Sequence, residues 1–288
     1  MLKAGTLLIG LLLAVDVCLT AHAHPGNKAN SSREAKGRLR YESSEPYLYR
    51  SPVSLSGGSS LTLISPREWS PIGTKLRATL EETHIYFSRY FGEVPPFKAV
   101  LRLMEEQDFY ESTGAPSWTN ALYFRGQIII PIPAKAKLDM QNIYRSVRHE
   151  YTHALISAIT GGRCPGWLDE GLAQWSEGTP HPALRTALAS YVEVNPPVPL
   201  KLLQGGFTRL DNDMVAAAYG QSLFAVETIL KTYGFSKLRA YFDNLRNGQD
   251  KSEAFSSAFE INEGEFEQLL GRKLTSNSET SPVSALRK

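Results

Sequence analysis

One stretch of the sequence combines a long helical pattern with two histidines that lie one turn apart. Apolar residues recur at helical spacing between residues 142 and 159, at Ile143, Val147, Ala154, Leu155 and Ala158. The pair Gly161-Gly162 follows and predicts the end of the helix. His149 and His153 lie four positions apart within this pattern. A fold of this chain must therefore place both imidazoles on one face of a single helix.

The segment that contains these histidines has the composition of a zinc site. It is His149-Glu150-Tyr151-Thr152-His153, which is the pattern HExxH. Two neutral imidazoles at this spacing can bind one zinc ion. Glu150 is adjacent to the first histidine, so its carboxylate is predicted to lie beside the metal and to take a proton from a metal-activated water. The alternative is a helix whose two histidines merely face solvent or the core.

A catalytic zinc site needs a third protein ligand and keeps one position for water. A second helix, predicted from Trp167 to Trp175 after the Gly-Gly reversal, can pack back against the first. It carries Asp169 and Glu170, and Cys164 lies in the turn before it. Glu170, 17 positions after His153, is one candidate for the third ligand. Asp169 and Cys164 are the alternatives, and Asp169 is otherwise a favourable charge in a first helical turn.

Together these residues resemble the gluzincin metallopeptidases, in particular the peptidase MA-like group. In that group HExxH is followed by a W-L-x-E-G-x-A segment, which stands here at residues 167–173. The resemblance implies a zincin-like fold and one catalytic Zn²⁺ bound by His149, His153 and Glu170. It also implies a metallopeptidase reaction with Glu150 as the general base. The gap between HExxH and the glutamate is shorter here than in thermolysin-like and aminopeptidase-like members.

The resemblance also implies a hydrogen-bond donor for the oxyanion that forms during hydrolysis. In the family this donor is often a tyrosine within a pattern like Y-x-Q-S, and that pattern begins here at Tyr219. Tyr219 is therefore predicted to be catalytic; the alternatives are a core tyrosine, or His181 as the donor. Gln174 and Glu177 lie on the ligand face of the second helix, and each is either a hydrogen-bond partner of a ligand or a solvated side chain.

Gluzincins usually present an edge strand just before the zinc helix, where an extended peptide pairs with the sheet. The segment from Tyr123 to Ile130 is its counterpart here, and Pro131 and Pro133 limit further pairing. The resemblance thus predicts a peptide or protein substrate bound in extended form along this segment. An ordinary interior hairpin is the alternative.

The other periodic patterns predict an α+β fold. Strand-like patterns occur in the first half at residues 61–64, 98–104, 121–124 and 127–132. Helical patterns occur at 71–91 and 105–112, and then near 182–193, 212–233, 235–246, 251–259 and 263–271. We therefore expect a small mixed sheet in the N-terminal half, packed on the HExxH helix, and a mostly helical C-terminal half.

The N-terminus is typical of a secretory signal peptide. A short positive start precedes an apolar run from Leu7 to Val15, and Ala21-His22-Ala23 has the small-x-small pattern of a cleavage site. We predict cleavage after Ala23 and export to the periplasm or the extracellular medium. A retained membrane anchor and a lipoprotein modified at Cys18 are the alternatives, and Asp16 within the apolar stretch disfavours a membrane span.

The mature chain is predicted to contain one domain between two unstructured ends. Residues 24–60 are rich in Ser, Gly and charge and are predicted to be a flexible low-complexity tether. Residues 61–275 are predicted to form the zincin domain, with an α+β part at 61–160 and a helical part at 161–275. Residues 276–288 are predicted to be a disordered tail.

Charge and cysteine content exclude some partners and some sources of stability. A formal net charge of +2, from 31 basic and 29 acidic residues, gives no argument for binding nucleic acid or an anionic membrane. Once Cys18 has left with the signal peptide, Cys164 is the single cysteine, so the fold has no internal disulfide. A packed core must stabilise it. The sequence does not define an oligomeric state.

The sequence thus predicts an exported zinc metallopeptidase that hydrolyses peptide bonds. Three alternatives stay open. The first is a catalytically silent, metallopeptidase-like envelope binding protein, which the presence of Glu150 argues against. The second is a zinc amidase that acts on cell-wall peptides. The third is a structural envelope protein in which residues 234–273 dock a partner.

Overall fold

A six-stranded mixed sheet forms one side of the molecule. The computed structural model describes residues 17–20, 48–115, 119–134, 137–207, 210 and 212–279, with the backbone alone at 17–20, 212–213 and 276–279. The strands are β1 (Val17–Thr20), β2 (Leu48–Ser54), β3 (Ser60–Pro66), β4 (Lys98–Glu105), β5 (Thr119–Phe124) and β6 (Gln127–Ile132). Their spatial order is β1-β5-β6-β4-β3-β2. The pairs β1–β5, β3–β4 and β4–β6 are parallel, and the pairs β2–β3 and β5–β6 are antiparallel.

Helices supply the rest of the fold. They are α1 (Ser70–Phe91), α2 (Glu106–Thr113), α3 (Met140–Thr160), α4 (Gly166–Ser176), α5 (Pro182–Val192), α6 (Asn212–Thr232), α7 (Gly234–Arg246), α8 (Lys251–Phe259) and α9 (Glu263–Glu279). Helix α3 contacts the sheet strands β5 and β6 on one side and the helices α1, α4 and α7 on the others. The predicted α+β, zincin-like architecture, with a small mixed sheet packed on the HExxH helix and a mostly helical C-terminal half, is confirmed.

The sheet is buried on both faces around β6. Ile128 and Ile130 belong to the main core, which also contains residues of α3. Ile129 points to the opposite face and packs with Met104 and with Phe109 of α2. A continuous apolar run, which β6 has at residues 128–132, is typical of such a two-sided location. The sheet therefore supports α3 from a well-packed interior strand.

The limits of α3 follow from its sequence. The Asp139 carboxylate accepts hydrogen bonds from the backbone N–H groups of Gln141 at 2.9 Å and Asn142 at 3.4 Å, which caps the first turn. At the other end Gly161 adopts a left-handed conformation with φ of 63°, which favours glycine. These two ends hold a 21-residue helix with the histidine pair near its centre.

The predicted tether is wrong for residues 48–60. This segment forms β2 and the start of β3, which pair with each other. Val53, Leu55 and Leu61 are buried in the main core, so a few well-spaced apolar side chains order a segment of otherwise polar composition. Likewise α9 continues to Glu279, into the predicted disordered tail.

The other predictions for the chain ends fall largely outside the described residues. The structure describes neither residues 1–16 and 21–23 of the predicted signal peptide nor residues 24–47 of the predicted tether. The last residues of the predicted tail, 280–288, are outside it as well. Within the described ranges, no helix has both the length and the apolar character needed to cross a bilayer.

Helix α4 crosses α6 at backbone contact. A Cβ atom on Gly171 would lie 2.3 Å from the carbonyl oxygen of Ser222, so only glycine fits at this position of α4. The close approach matters because α4 carries Glu170 and α6 carries Tyr219. The glycine in the W-L-x-E-G-x-A segment thus has a packing role that the local pattern does not reveal.

Replacing Gly171 by alanine is expected to lower the free energy of unfolding by about 1–3 kcal/mol, because the new methyl group would overlap α6. The control is Gly271→Ala in α9, where no atom lies within 4 Å of the added Cβ. That change is expected to be neutral or stabilising by up to about 1 kcal/mol. Urea unfolding of both variants measures the difference, and equal stability of Gly171→Ala and the wild type would contradict the close contact.

Candidate metal centre

Three side chains predicted to bind metal converge at one buried point. His149, His153 and Glu170 each offer a ligand atom, and these atoms all lie within 4.8 Å of one another. The Glu170 Oε2 atom lies 3.6 Å from His149 Nε2 and 3.8 Å from His153 Nε2. All three residues are buried. The structure therefore brings the three predicted ligands together from two consecutive helices.

The ligand atoms have the spacing and chemistry of a zinc site. In the described part of the chain, neither His149 Nε2 nor His153 Nε2 has a hydrogen-bond partner, although both atoms are fully buried. Two buried imidazole nitrogens in this state are unfavourable unless something binds them. Bonds of about 2.0–2.2 Å in a tetrahedral site would place ligand atoms about 3.3–3.6 Å apart. The observed separations are close to this range, so the group fits a zinc ion.

Two further carboxylates hydrogen-bond the histidine rings at Nδ1, the nitrogen that does not face Glu170. His149 Nδ1 lies 2.7 Å from Glu177 Oε1, and His153 Nδ1 lies 2.8 Å from Asp169 Oδ1. A carboxylate can only accept, so each Nδ1 carries the proton and donates it. In the neutral form of each ring, the lone pair of Nε2 is then directed at the common point, which is the arrangement found around histidine ligands of zinc.

These contacts decide the roles that the sequence left open on α4. Asp169 holds a histidine ring, and so it is more than a charge in a first helical turn. Glu177 does the same for the other ring. The Oε1 atom of the buried Gln174 accepts no hydrogen bond from the described residues. Cys164 is buried outside the group of converging ligand atoms, and burial raises the pKa of its thiol well above the usual value.

Glu150 lies at the centre of this acidic surrounding and is fully buried. Burial first, and then the charges of Glu170, Asp169 and Glu177, raise its pKa well above the usual value for a glutamate. Burial opposes protonation of His149, but the carboxylates of Glu170 and Glu177 outweigh it and raise the pKa of this histidine to about 9. Buried negative charge thus contributes to both shifts, and a bound cation would offset it.

Tyr219 is buried on α6 beside the same carboxylates. Its ring packs edge-on against Phe207, with 4.8 Å between centroids. Burial, and then the charges of Glu170 and Glu150, raise the pKa of its hydroxyl well above the usual value, so the group stays protonated. The charges of the predicted ligand and of the predicted base therefore both act on the hydroxyl of the predicted oxyanion donor.

His181, the alternative oxyanion donor, is engaged elsewhere. Its Nε2 atom lies 3.0 Å from the Gln174 carbonyl oxygen, so this nitrogen carries the proton and donates it to the backbone of α4. The same atom lies 3.7 Å from Glu177 Oε2. The position of His181 thus favours a supporting role at the end of α4 over a role beside the ligand atoms.

In the structure, the part of residues 123–130 that could act as a substrate edge is shorter than the sequence predicted. Strand β6 lies between β5 and β4, so residues 128–130 are interior. Strand β5 lies against α3, and the Tyr123 ring stacks on that of His153 with 6.3 Å between centroids. The outer edge of β5 pairs with β1, whose residues belong to the predicted signal peptide. Within the predicted segment, only the β5 part thus borders the outer side of the sheet, and in the structure β1 covers it.

The sequence did not reveal the pairing of Asp169 with His153 or the stacking of Tyr123 on the same ring. A carboxylate directly before the third ligand was a usable signal for the first contact, because such side chains often orient histidine ligands. No local pattern signals the second contact, since it depends on how β5 packs against α3.

Comparison with solved structures supports the fold. Aminopeptidase A of Legionella pneumophila, in complex with aspartic acid, is similar with a TM-score of 0.51 at 14% identity, over 78% of this chain and 28% of that one. The M1 zinc metallopeptidase of Deinococcus radiodurans is similar with a TM-score of 0.42 at 16% identity, over 77% of this chain and 51% of that one. A mutant of that enzyme bound to a Tyr-Ser-Ala substrate gives 0.45 at 17% identity, over 79% and 52%.

This chain thus spans about half the length of the Deinococcus protein and a smaller share of the Legionella protein. A search among curated proteins finds no significant match. The family model of the Peptidase MA superfamily, in contrast, matches residues 105–274, a range that contains α3, α4 and α6 with all five predicted site residues. Because this match spans more than half of the sequence, the chain belongs to the Peptidase MA superfamily, as its resemblance to the gluzincin metallopeptidases predicted.

Proposed function

We propose that this protein is an exported zinc-dependent metallopeptidase that hydrolyses peptide bonds. The observation that carries the proposal is the convergence of two unpartnered imidazole nitrogens and a buried glutamate oxygen within 4.8 Å, beside a second buried glutamate. Membership of the Peptidase MA superfamily supports the same reaction class. A site with two histidines, one carboxylate and a separate general base suits hydrolysis of an amide.

One zinc ion is proposed to be held by His149, His153 and Glu170. Zinc, when bound, acts as a Lewis acid that polarises the scissile carbonyl group and makes a water molecule acidic enough to attack it near neutral pH. Asp169 and Glu177 keep the two rings in the tautomer and orientation that binding needs.

Glu150 is proposed to accept a proton from the attacking water and to deliver it to the leaving amine. Its carboxylate is buried, and none of the described side chains hydrogen-bonds it, so it is available for this exchange. Tyr219 is proposed to donate its hydroxyl hydrogen to the oxyanion. Its raised pKa keeps that hydrogen in place, and its neighbours Glu150 and Glu170 locate it beside the reaction.

A peptide or protein substrate is proposed to bind in extended form along the outer edge of β5. Loss of residues 1–23 would remove β1 and leave the backbone groups of that edge available to a peptide strand. Because β5 packs against α3, with Tyr123 on the ring of His153, the bound peptide would pass beside the ligand atoms. The family membership supports peptides as the substrate class.

Export is proposed from the N-terminal sequence. Residues 1–23 have the order of features that a secretory signal peptide requires, and cleavage after Ala23 would produce the mature chain. The mature chain would keep one cysteine, Cys164, which is buried in the structure. It would therefore need no disulfide bond to be stable outside the cytoplasm.

Glu170→Ala is expected to weaken zinc binding by more than about 100-fold, because the third ligand is lost. Loss of a residue that only orients a ligand already weakens metal binding by about 10–100-fold. Chelator competition with the purified mature protein measures the dissociation constant. Glu227→Ala serves as the control, since Glu227 forms an exposed ion pair with Arg185 on α5. Unchanged zinc affinity of Glu170→Ala would overturn the ligand assignment.

Glu150→Gln is expected to keep zinc and to lose hydrolysis by about 10²–10⁴-fold, because the amide cannot accept the proton. Zinc content and cleavage of a peptide library are measured on the same sample. Turnover within a few-fold of the wild type, at full zinc occupancy, would remove Glu150 as the base.

Tyr219→Phe is expected to lower kcat by about 10²-fold while KM and zinc content stay near the wild-type values, because only the developing oxyanion loses a donor. Steady-state kinetics on one peptide from the library measures both constants. A wild-type kcat would return Tyr219 to a purely structural role in the core.

A further inference from the structure

Cationic side chains gather at the C-terminal end of α4. The Arg145 Nε atom lies 3.5 Å from Glu177 Oε2, and His181 Nε2 lies 3.7 Å from the same oxygen. Arg148 Nη1 donates to the backbone carbonyl of Glu177 at 3.2 Å. Glu177 Oε1 accepts the hydrogen bond from His149 Nδ1. Both oxygens of this carboxylate therefore face positively charged or hydrogen-bonding groups.

The position of Glu177 in its helix explains why it needs these groups. Glu177 is the C-cap residue of α4, and it is buried. The C-terminus of a helix carries partial negative charge, so a buried carboxylate there is doubly unfavourable. Asp169, the matching carboxylate of the other histidine, lies in the first turn of the same helix, where the partial charge is positive. Glu177 is thus the carboxylate that requires outside cations.

Arg145 is placed to meet this requirement without touching the metal site itself. It lies on α3 one turn before His149, so its side chain reaches the same end of α4 as the ring that Glu177 holds. Its side chain is 24% exposed, whereas that of Glu177 is 4% exposed. The contact joins Arg145 Nε to Glu177 Oε2 and is an ion pair, since that oxygen accepts no hydrogen bond from the described residues. The guanidinium charge therefore orients the carboxylate by attraction.

We propose that Arg145 is a positioning residue of the zinc site, which acts through Glu177. It orients the Glu177 carboxylate, and that carboxylate holds the His149 ring with Nε2 directed at the point shared with His153 and Glu170. This inference rests on the proposed function, because it assumes that His149 binds the metal. The effect of Arg145 then appears in zinc affinity, and it exists only while Glu177 is a carboxylate.

The first test compares zinc dissociation constants by chelator competition. Arg145→Met is expected to weaken zinc binding by about 10-fold, within the range for groups that orient ligands. Arg145→Lys keeps the charge and is expected to recover part of the loss. The control is Arg185→Met, which removes an arginine from an exposed ion pair with Glu227 and is expected to leave zinc affinity unchanged. Zinc affinity of Arg145→Met equal to that of the wild type would overturn the inference.

The second test separates a route through Glu177 from a general effect on the fold. In a Glu177→Gln background, Arg145→Met is expected to cause no further loss of zinc affinity, because the carboxylate on which it acts is gone. Arg145→Met is expected to unfold at a lower temperature than the wild type without metal, because buried Glu177 loses a cation. Zinc affinities are therefore compared at a temperature at which circular dichroism shows every metal-free variant to be fully folded. The inference would be contradicted if Arg145→Met lost as much zinc affinity in the Glu177→Gln background as in the wild type. It would also be contradicted if the unfolded fraction of the metal-free variant accounted for the whole loss of affinity.

Zinc affinity and peptide cleavage, measured together, distinguish a failure of this inference from a failure of the proposed function. A wild-type protein that binds zinc tightly but cleaves no peptide would contradict the proposed reaction and leave the role of Arg145 intact. A wild-type protein that binds no zinc would contradict both. Normal cleavage together with unchanged zinc affinity in Arg145→Met would sink the role of Arg145 alone.

Discussion

A buried excess of negative charge is the constraint on which the site depends. Four carboxylates near the two imidazoles are all buried, namely those of Glu150, Asp169, Glu170 and Glu177. Carboxylates in such an interior are unfavourable unless cations or protons neutralise them. The same charge contributes to the raised pKa of Glu150 and to that of His149, which is about 9. A divalent cation at the point shared by the three ligand atoms would offset this charge.

The packing of α4 between two helices places the whole group. One side of α4 faces α3, and from it come both the third ligand and the two carboxylates that hold the histidine rings. The other side meets α6 at Gly171, where the absence of a side chain brings the backbones into contact. That contact also fixes α4 against the helix that carries Tyr219. One short helix thus supplies the third predicted ligand and both ring supports, and it packs on the helix of the proposed oxyanion donor.

The sequence was sufficient for elements whose pattern is local. The 3.6-residue period and the bounding glycines located α3 and α4, and the HExxH spacing located two of the converging groups. Prediction from the sequence failed where the structure depends on contacts between residues that are far apart in the chain. Residues 48–60 look unstructured in isolation, yet Val53 and Leu55 are buried because β2 and β3 join strands formed much later in the chain. The ring contacts of Asp169 and Glu177 require the packing of α4 on α3, and the interior position of β6 requires the order of the strands.

X-ray absorption at the zinc edge of the mature protein, loaded with one equivalent of zinc, tests the central claim most directly. It reports the type and distance of the atoms bound to the metal, without requiring a substrate. The account predicts nitrogen and oxygen neighbours at about 2.0–2.2 Å, with the scattering pattern of two imidazoles and no sulfur. A sulfur neighbour at about 2.3 Å, which would come from Cys164, or a spectrum without two imidazoles would contradict the proposed site.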